Sequence, residues 1–148
     1  MEGTANMNIN ENVYKKILDE MNDIIYISDI NTYELYFLNK QGMKQFNFKH
    51  ETEWHNHKCY ELLQGRDTPC DLCAKNKLSY NKFCEWTFYN LKTEQYYDFK
   101  NKLINLDDKP YRLEVAYIST KRVQIQKKLY HITNFFAIKY NNQDKDLN

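Results

Sequence analysis

Hydrophobic positions along the chain change their period several times, and each change marks an element. Ile9, Val13, Ile17 and Met21 recur at helical spacing beside Tyr14 and Leu18, with Asn10 placed to cap them. This predicts a helix to about Asn22 whose single apolar stripe must lie on something. Ile24 to Asp29 is rich in β-branched and aromatic residues and reads as a strand. Asp29-Ile30-Asn31-Thr32 has turn chemistry, and Tyr33 to Leu38 reads as the returning strand. Asn39 sits where a cap belongs, before a short helix with Met43 and Phe46. Residues 47 to 57 are polar and loop-like.

Three further runs alternate with period two. Phe83 to Tyr89 places Cys84, Trp86 and Phe88 on one side. Gln95 to Leu106 places Tyr97, Phe99 and Leu103 on one side, and Asp107-Asp108-Lys109 forms the next hairpin turn. In the last run Tyr111, Leu113, Val115 and Tyr117 alternate against Arg112 and Glu114. Ser119 or Thr120 can cap a final helix, in which Ile125, Leu129, Ile132 and Phe136 follow a coiled-coil-like spacing over about two heptads. From Asn141 the chain is polar and is expected to be disordered.

Cys59-Tyr60-Glu61-Leu62-Leu63-Gln64-Gly65-Arg66-Asp67-Thr68-Pro69-Cys70-Asp71-Leu72-Cys73 interrupts this pattern and holds three of the four cysteines. It reads as a helix ended by Gly65 in the left-handed conformation, followed by a second helix capped by Thr68, with Pro69 at its first position. That arrangement puts Cys70 in a first helical turn, where backbone N–H groups favour a thiolate.

Composition narrows the chemistry. Lys plus Arg is 21 and Asp plus Glu is 20, so a formal charge of +1 suggests neither a nucleic-acid nor a membrane surface. With three glycines, at positions 3, 42 and 65, no phosphate-binding loop, dinucleotide fingerprint or nucleophile elbow can be written. No His-Glu-x-x-His occurs, which removes most simple routes to an enzyme and leaves a small thiol oxidoreductase as the enzyme option. The first residues are polar, and the longest apolar runs are too short to span a bilayer; a cytoplasmic location with reduced thiols is the expectation.

The element order resembles that of a PAS domain over roughly residues 10 to 125. Met21 to Asp29 looks like its first strand and lead-in, Tyr36-Phe37-Leu38-Asn39 like its second strand, and Glu85-Trp86 and Lys109 to Glu114 like its later strands. The cysteine segment resembles an insert of some bacterial PAS domains that precede diguanylate cyclase (GGDEF) or cyclic-di-GMP phosphodiesterase (EAL) domains. The resemblance implies an α+β fold: a five-stranded antiparallel sheet with short helices on one face and N- and C-terminal flanking helices. The expected division is 1–22 as N-terminal flank, 23–120 as sensor domain, and 121–148 as signalling helix and tail. No catalytic domain is visible, so a sensory and relay role through a partner or output domain is expected, with a structural zinc module for protein contact as the alternative.

Candidate sites follow. Cys70-x-x-Cys73 has the spacing of two ligands of one ion, and Cys59 and Cys84 can complete a zinc or iron–sulfur centre. The same thiols can instead form a redox switch or merely pack. His55 and His57 can add imidazole ligands. A small ligand can lie between short helices and sheet against Tyr26, Phe37, Met43, Leu62, Trp86, Phe88 and Val115. Ile17, Met21, Ile125, Leu129, Ile132 and Phe136 are expected to form a homodimer seam.

Overall fold

The structure is a computed structural model that describes residues 11–71 and 77–143. Its elements are α1 (Glu11–Asp19), β1 (Ile24–Asp29), β2 (Leu35–Leu38), α2 (Lys40–Gln45), α3 (Cys59–Leu62), β3 (Cys84–Asn90), β4 (Gln95–Leu106), β5 (Lys109–Ile118) and α4 (Thr120–Gln143), with a 3-10 turn at Glu51–Glu53. The five strands form one antiparallel sheet in the order β2-β1-β5-β4-β3. The expected α+β architecture is therefore present. The last helix runs further than expected, with helical backbone to Gln143.

Local chemistry sets the turns. The Asp29 carboxylate accepts from the backbone N–H of Asn31 and Thr32, closing the β1–β2 connection. Asp107 and Asp108 both have positive φ, 48° and 59°, as a two-residue hairpin turn with right-handed strand twist requires. Leu106 therefore pairs with Lys109, and the rest of the β4–β5 register follows. The β1–β2 register shifts between Ile27 and Ser28, which brings both Leu35 and Leu38 to the inner face, fully buried.

The inner face carries the core: Ile24, Tyr26, Leu35, Leu38, Trp54, Cys59, Leu63, Tyr97, Phe99 and Ala116. Trp54, from the segment expected to be a polar loop, is buried there. Asn39 locks the first half of the molecule. Its Oδ1 accepts from Ile25 N and Gly42 N at 3.0 Å each, and its Nδ2 donates to Leu18 O and Asp23 O at 2.9 Å each. One side chain thus caps α2 and ties α1 to β1. Gly42 lets α2 approach closely, because a Cβ there would lie 2.3 Å from Leu38 Cδ1.

The face of β5 is the reverse of the expected one. Arg112, Glu114 and Ala116 point inward, while Leu113 and Val115 pair with outward-facing Ile27 and Ile25. The expected turn, Asp107-Asp108-Lys109, has three residues; the observed one has two. A difference of one residue moves every side chain of the following strand to the other face.

Candidate functional site

The reversal of β5 places charged groups in the core. Reading across the sheet, Tyr26, Glu114, Asn101 and Cys84 are paired neighbours in one row, and Ser28, Arg112 and Leu103 form the next. Arg112 is 0% exposed, Asn101 0% and Glu114 3%. The Arg112 guanidinium lies 5.9 Å from the centre of the Tyr33 ring. Over this surface sits α3, whose first residue, Cys59, is buried beneath it. Tyr26, Cys59, Gln64, Cys70, Trp86, Phe88, Phe99 and Glu114 line a small, partly open cavity of about 20 Å³, room for about one water molecule.

Two features bring Cys70 to that cavity. Gly65 adopts φ +63°, and its N–H and that of Arg66 bond back to Glu61 O and Tyr60 O. This left-handed helix end was expected, and it reverses the chain after α3. The helix expected to begin after Thr68 does not include Cys70: Thr68 to Cys70 is irregular and Asp71 is the first 3-10 residue, so Cys70 is not in a first helical turn, and residues 72–76 lie outside the described residues. Cys70 lies half-buried against the sheet instead.

Electrostatics in the cluster are set by burial. Burial pushes the Glu114 carboxyl above the usual carboxylate range, while Arg112, a hydrogen bond from Tyr26 and the Asn101 amide oppose the shift. Asn101 is near enough to favour the carboxylate, yet among the described residues neither of its polar side-chain atoms has a hydrogen-bond partner. Burial pushes the Cys59 thiol up to about 12, with Glu114 and Cys70 adding to the shift and Arg112 and Ser28 opposing it. Cys59 is therefore a neutral thiol at physiological pH. Chemically the cluster can exchange a proton at a protected carboxyl, and it can be oxidised at sulfur.

Of the residues expected to line a ligand site, Tyr26, Trp86 and Phe88 line this cavity. Met43 and Leu62 pack against the same core without lining it. Phe37 is displaced to the other face, in a groove with Tyr14, Leu18 and Ile27, and Val115 is turned to that face with β5. Of the candidate metal ligands, Cys59 and Cys70 share the cavity, and Cys84 stands on the inner face beside Asn101 without lining it. Cys73 lies outside the described residues. His55 lies in the outer groove. Among the described residues, no three His, Cys, Asp or Glu side chains gather as metal ligands. Sequence reasoning missed Glu114, Asn101, Gln64 and Phe99 as site residues; the register of a two-residue turn was the signal that could have found Glu114, and alternation with Phe99 and Leu103 the one that could have found Asn101.

The last strand leads directly into α4. Ser119 N donates to Tyr96 O at 2.8 Å and Tyr96 N to Thr120 Oγ1 at 2.9 Å. Arg122 clamps Asp98 on the outer face, at 2.6 and 2.8 Å. Val123 is buried, whereas Ile125, Leu129, Ile132 and Phe136 are each more than half exposed. No described helix is long and apolar enough to cross a membrane.

No family model matches the sequence, and no curated protein matches it. Solved structures do. The PAS domain of nitrogen regulation protein NR(II) from Vibrio parahaemolyticus superposes with TM-score 0.58 at 12% identity, over 72% of this chain and 97% of that one. The PAS domain of an HTR-like protein from Haloarcula marismortui gives 0.51 at 10% identity, over 71% and 88%. An RNA-binding light-oxygen-voltage receptor gives 0.65 at 10% identity, over 95% of this chain but 42% of that one. The fold is that of PAS domains.

Proposed function

We propose that this chain is a sensory and signal-relay module of the PAS type, with residues 23–120 as the perceiving unit, 1–22 as an N-terminal flank and 121–148 as the relay. The observation that carries this reading is the burial of Arg112 and Glu114 on the strand that runs into α4. A buried pair of opposite charges is weak support for stability alone, and here it adjoins a cavity and two thiols. A change there must favour one packing of β5 over another, and α4 would carry the difference outward. The cavity is far below the few hundred cubic ångströms of a typical cofactor site, which favours protonation, oxidation or a ligand of few atoms as the signal.

The receiver is a partner or an output domain; the cysteine segment's resemblance suggests the cyclic-di-GMP enzymes. A homodimer through the terminal helices would cover the apolar positions of α4 and the exposed Ile17 and Met21. Amide hydrogen exchange on wild type and Glu114→Gln tests the relay. Altered protection at Ser119 and Val123, where α4 begins, is the expected outcome. Identical protection in the two proteins would remove the reading.

A further inference from the structure

The cavity joins two thiols that the Cys-x-x-Cys spacing does not pair. We infer that Cys59 and Cys70, rather than Cys70 and Cys73, are the redox couple of this protein, and that a hydroperoxide converts them to a disulfide across the inner-face cavity. The couple deepens the proposed sensory function and rests on it for its biological meaning.

The two side chains divide the work by position. Cys59 is 4% exposed and belongs to α3, which is packed on the sheet. Cys70 is half-buried in irregular chain, so it can meet an oxidant and shift without breaking a helix or a strand ladder. The reversal at Gly65 returns the chain towards α3, and Cys59 and Cys70 line the same space of about 20 Å³, with Glu114 also in the lining. The two sulfurs are near enough for Cys70 to influence the Cys59 thiol electrostatically. Cys84 stands on the inner face outside that lining.

Cys70 loses its thiol proton to water, the thiolate attacks the hydroperoxide, the O–O bond breaks, the departing alkoxide takes a proton from water and leaves as the alcohol, and Cys70 becomes a sulfenic acid. Cys59 then gives its proton to the neighbouring Glu114 carboxylate and attacks the Cys70 sulfur. The S–O bond breaks, and the hydroxyl leaves as water with that proton. Two thiols and one hydroperoxide yield a disulfide, an alcohol and water; sulfur supplies the two electrons. Glu114 suits the task because burial raises its proton affinity as it does that of Cys59, so transfer between them is less uphill than transfer to solvent.

The full chain is treated with hydrogen peroxide, alkylated in denaturant and digested with trypsin without reduction. Cleavage after Arg66 separates the two partners. The expected product is peptide 59–66 linked to peptide 67–75, in wild type and in Cys84→Ser, and absent in Cys70→Ser. Glu114→Gln is expected to slow the linkage ~10-fold or more while Cys70 sulfenic acid forms at the wild-type rate. A 67–75 peptide bridged within itself, or Cys70 oxidised to sulfinic acid with Cys59 still alkylated, would overturn the couple. An unchanged linkage rate in Glu114→Gln would overturn the role of that carboxylate. Because mapping reads sulfur pairing alone, its failure is distinct from a failure of the relay, which hydrogen exchange reads without oxidant.

Discussion

Two polar centres are buried against the same sheet, and they are built in opposite ways. At Asn39 every polar atom is used: two backbone N–H groups donate to its oxygen, and its nitrogen donates to two carbonyls. Around Glu114, a carboxyl, a guanidinium, an amide and a thiol crowd together, and the Asn101 amide, though it favours the Glu114 carboxylate, has no well-formed hydrogen bond among the described residues. A saturated centre has one good arrangement and serves as scaffold. An incompletely satisfied one beside a cavity has room for a second arrangement, and small chemical changes can select between the two.

The sharpest way to break the contrast is to replace each amide by an apolar residue of similar size. Asn39→Leu leaves two N–H groups and two carbonyls without their partner and should cost about 3 kcal/mol or more in urea unfolding. Gly42→Ala should cost about 1–3 kcal/mol, since the added methyl meets a Leu38 side chain that is itself fully buried. Glu114→Gln should change the slope of stability against pH. A carboxyl whose folded pKa is raised stabilises the protein most below its unfolded value near 4.5. That contribution is lost as pH rises through the folded value, by at most about 1.4 kcal/mol per pH unit. The variant should lack this fall. Asn101→Leu should change stability by less than about 1 kcal/mol and move the Glu114 carboxyl further upward, because a group favouring its charge is gone. A large loss in Asn101→Leu, comparable to that of Asn39→Leu, would erase the distinction.

Most of the framework was legible because strands announce themselves by alternation and Asn39 by its place before a helix. The left-handed Gly65 was legible for the same local reason. The face of β5 was not, although its information was present. With Phe99 inward and a two-residue turn at Asp107-Asp108, pairing puts Ala116, Glu114 and Arg112 beside the core. Counting Lys109 into the turn inverts this, and the apolar side of Leu113 and Val115 made the inverted choice attractive. Cys70 was misplaced differently: Thr68-Pro69 has good helix-start chemistry, but the chain reversed at Gly65 leads Cys70 to the sheet. That is a tertiary preference, invisible to local pattern. Trp54, in polar surroundings, carried no periodic signal at all.

The central claim is that a protected carboxyl on β5 is coupled to the start of α4. Carboxyl-carbon NMR of Glu114, followed with the amide resonances of Ser119 and Val123 through a pH titration, tests it most directly. The account predicts that Glu114 titrates above the ordinary value of 4.5 and that both amides shift with the same midpoint while the Gly42 amide stays fixed. A Glu114 midpoint at or below that value, or amides of α4 indifferent to it, would contradict the claim.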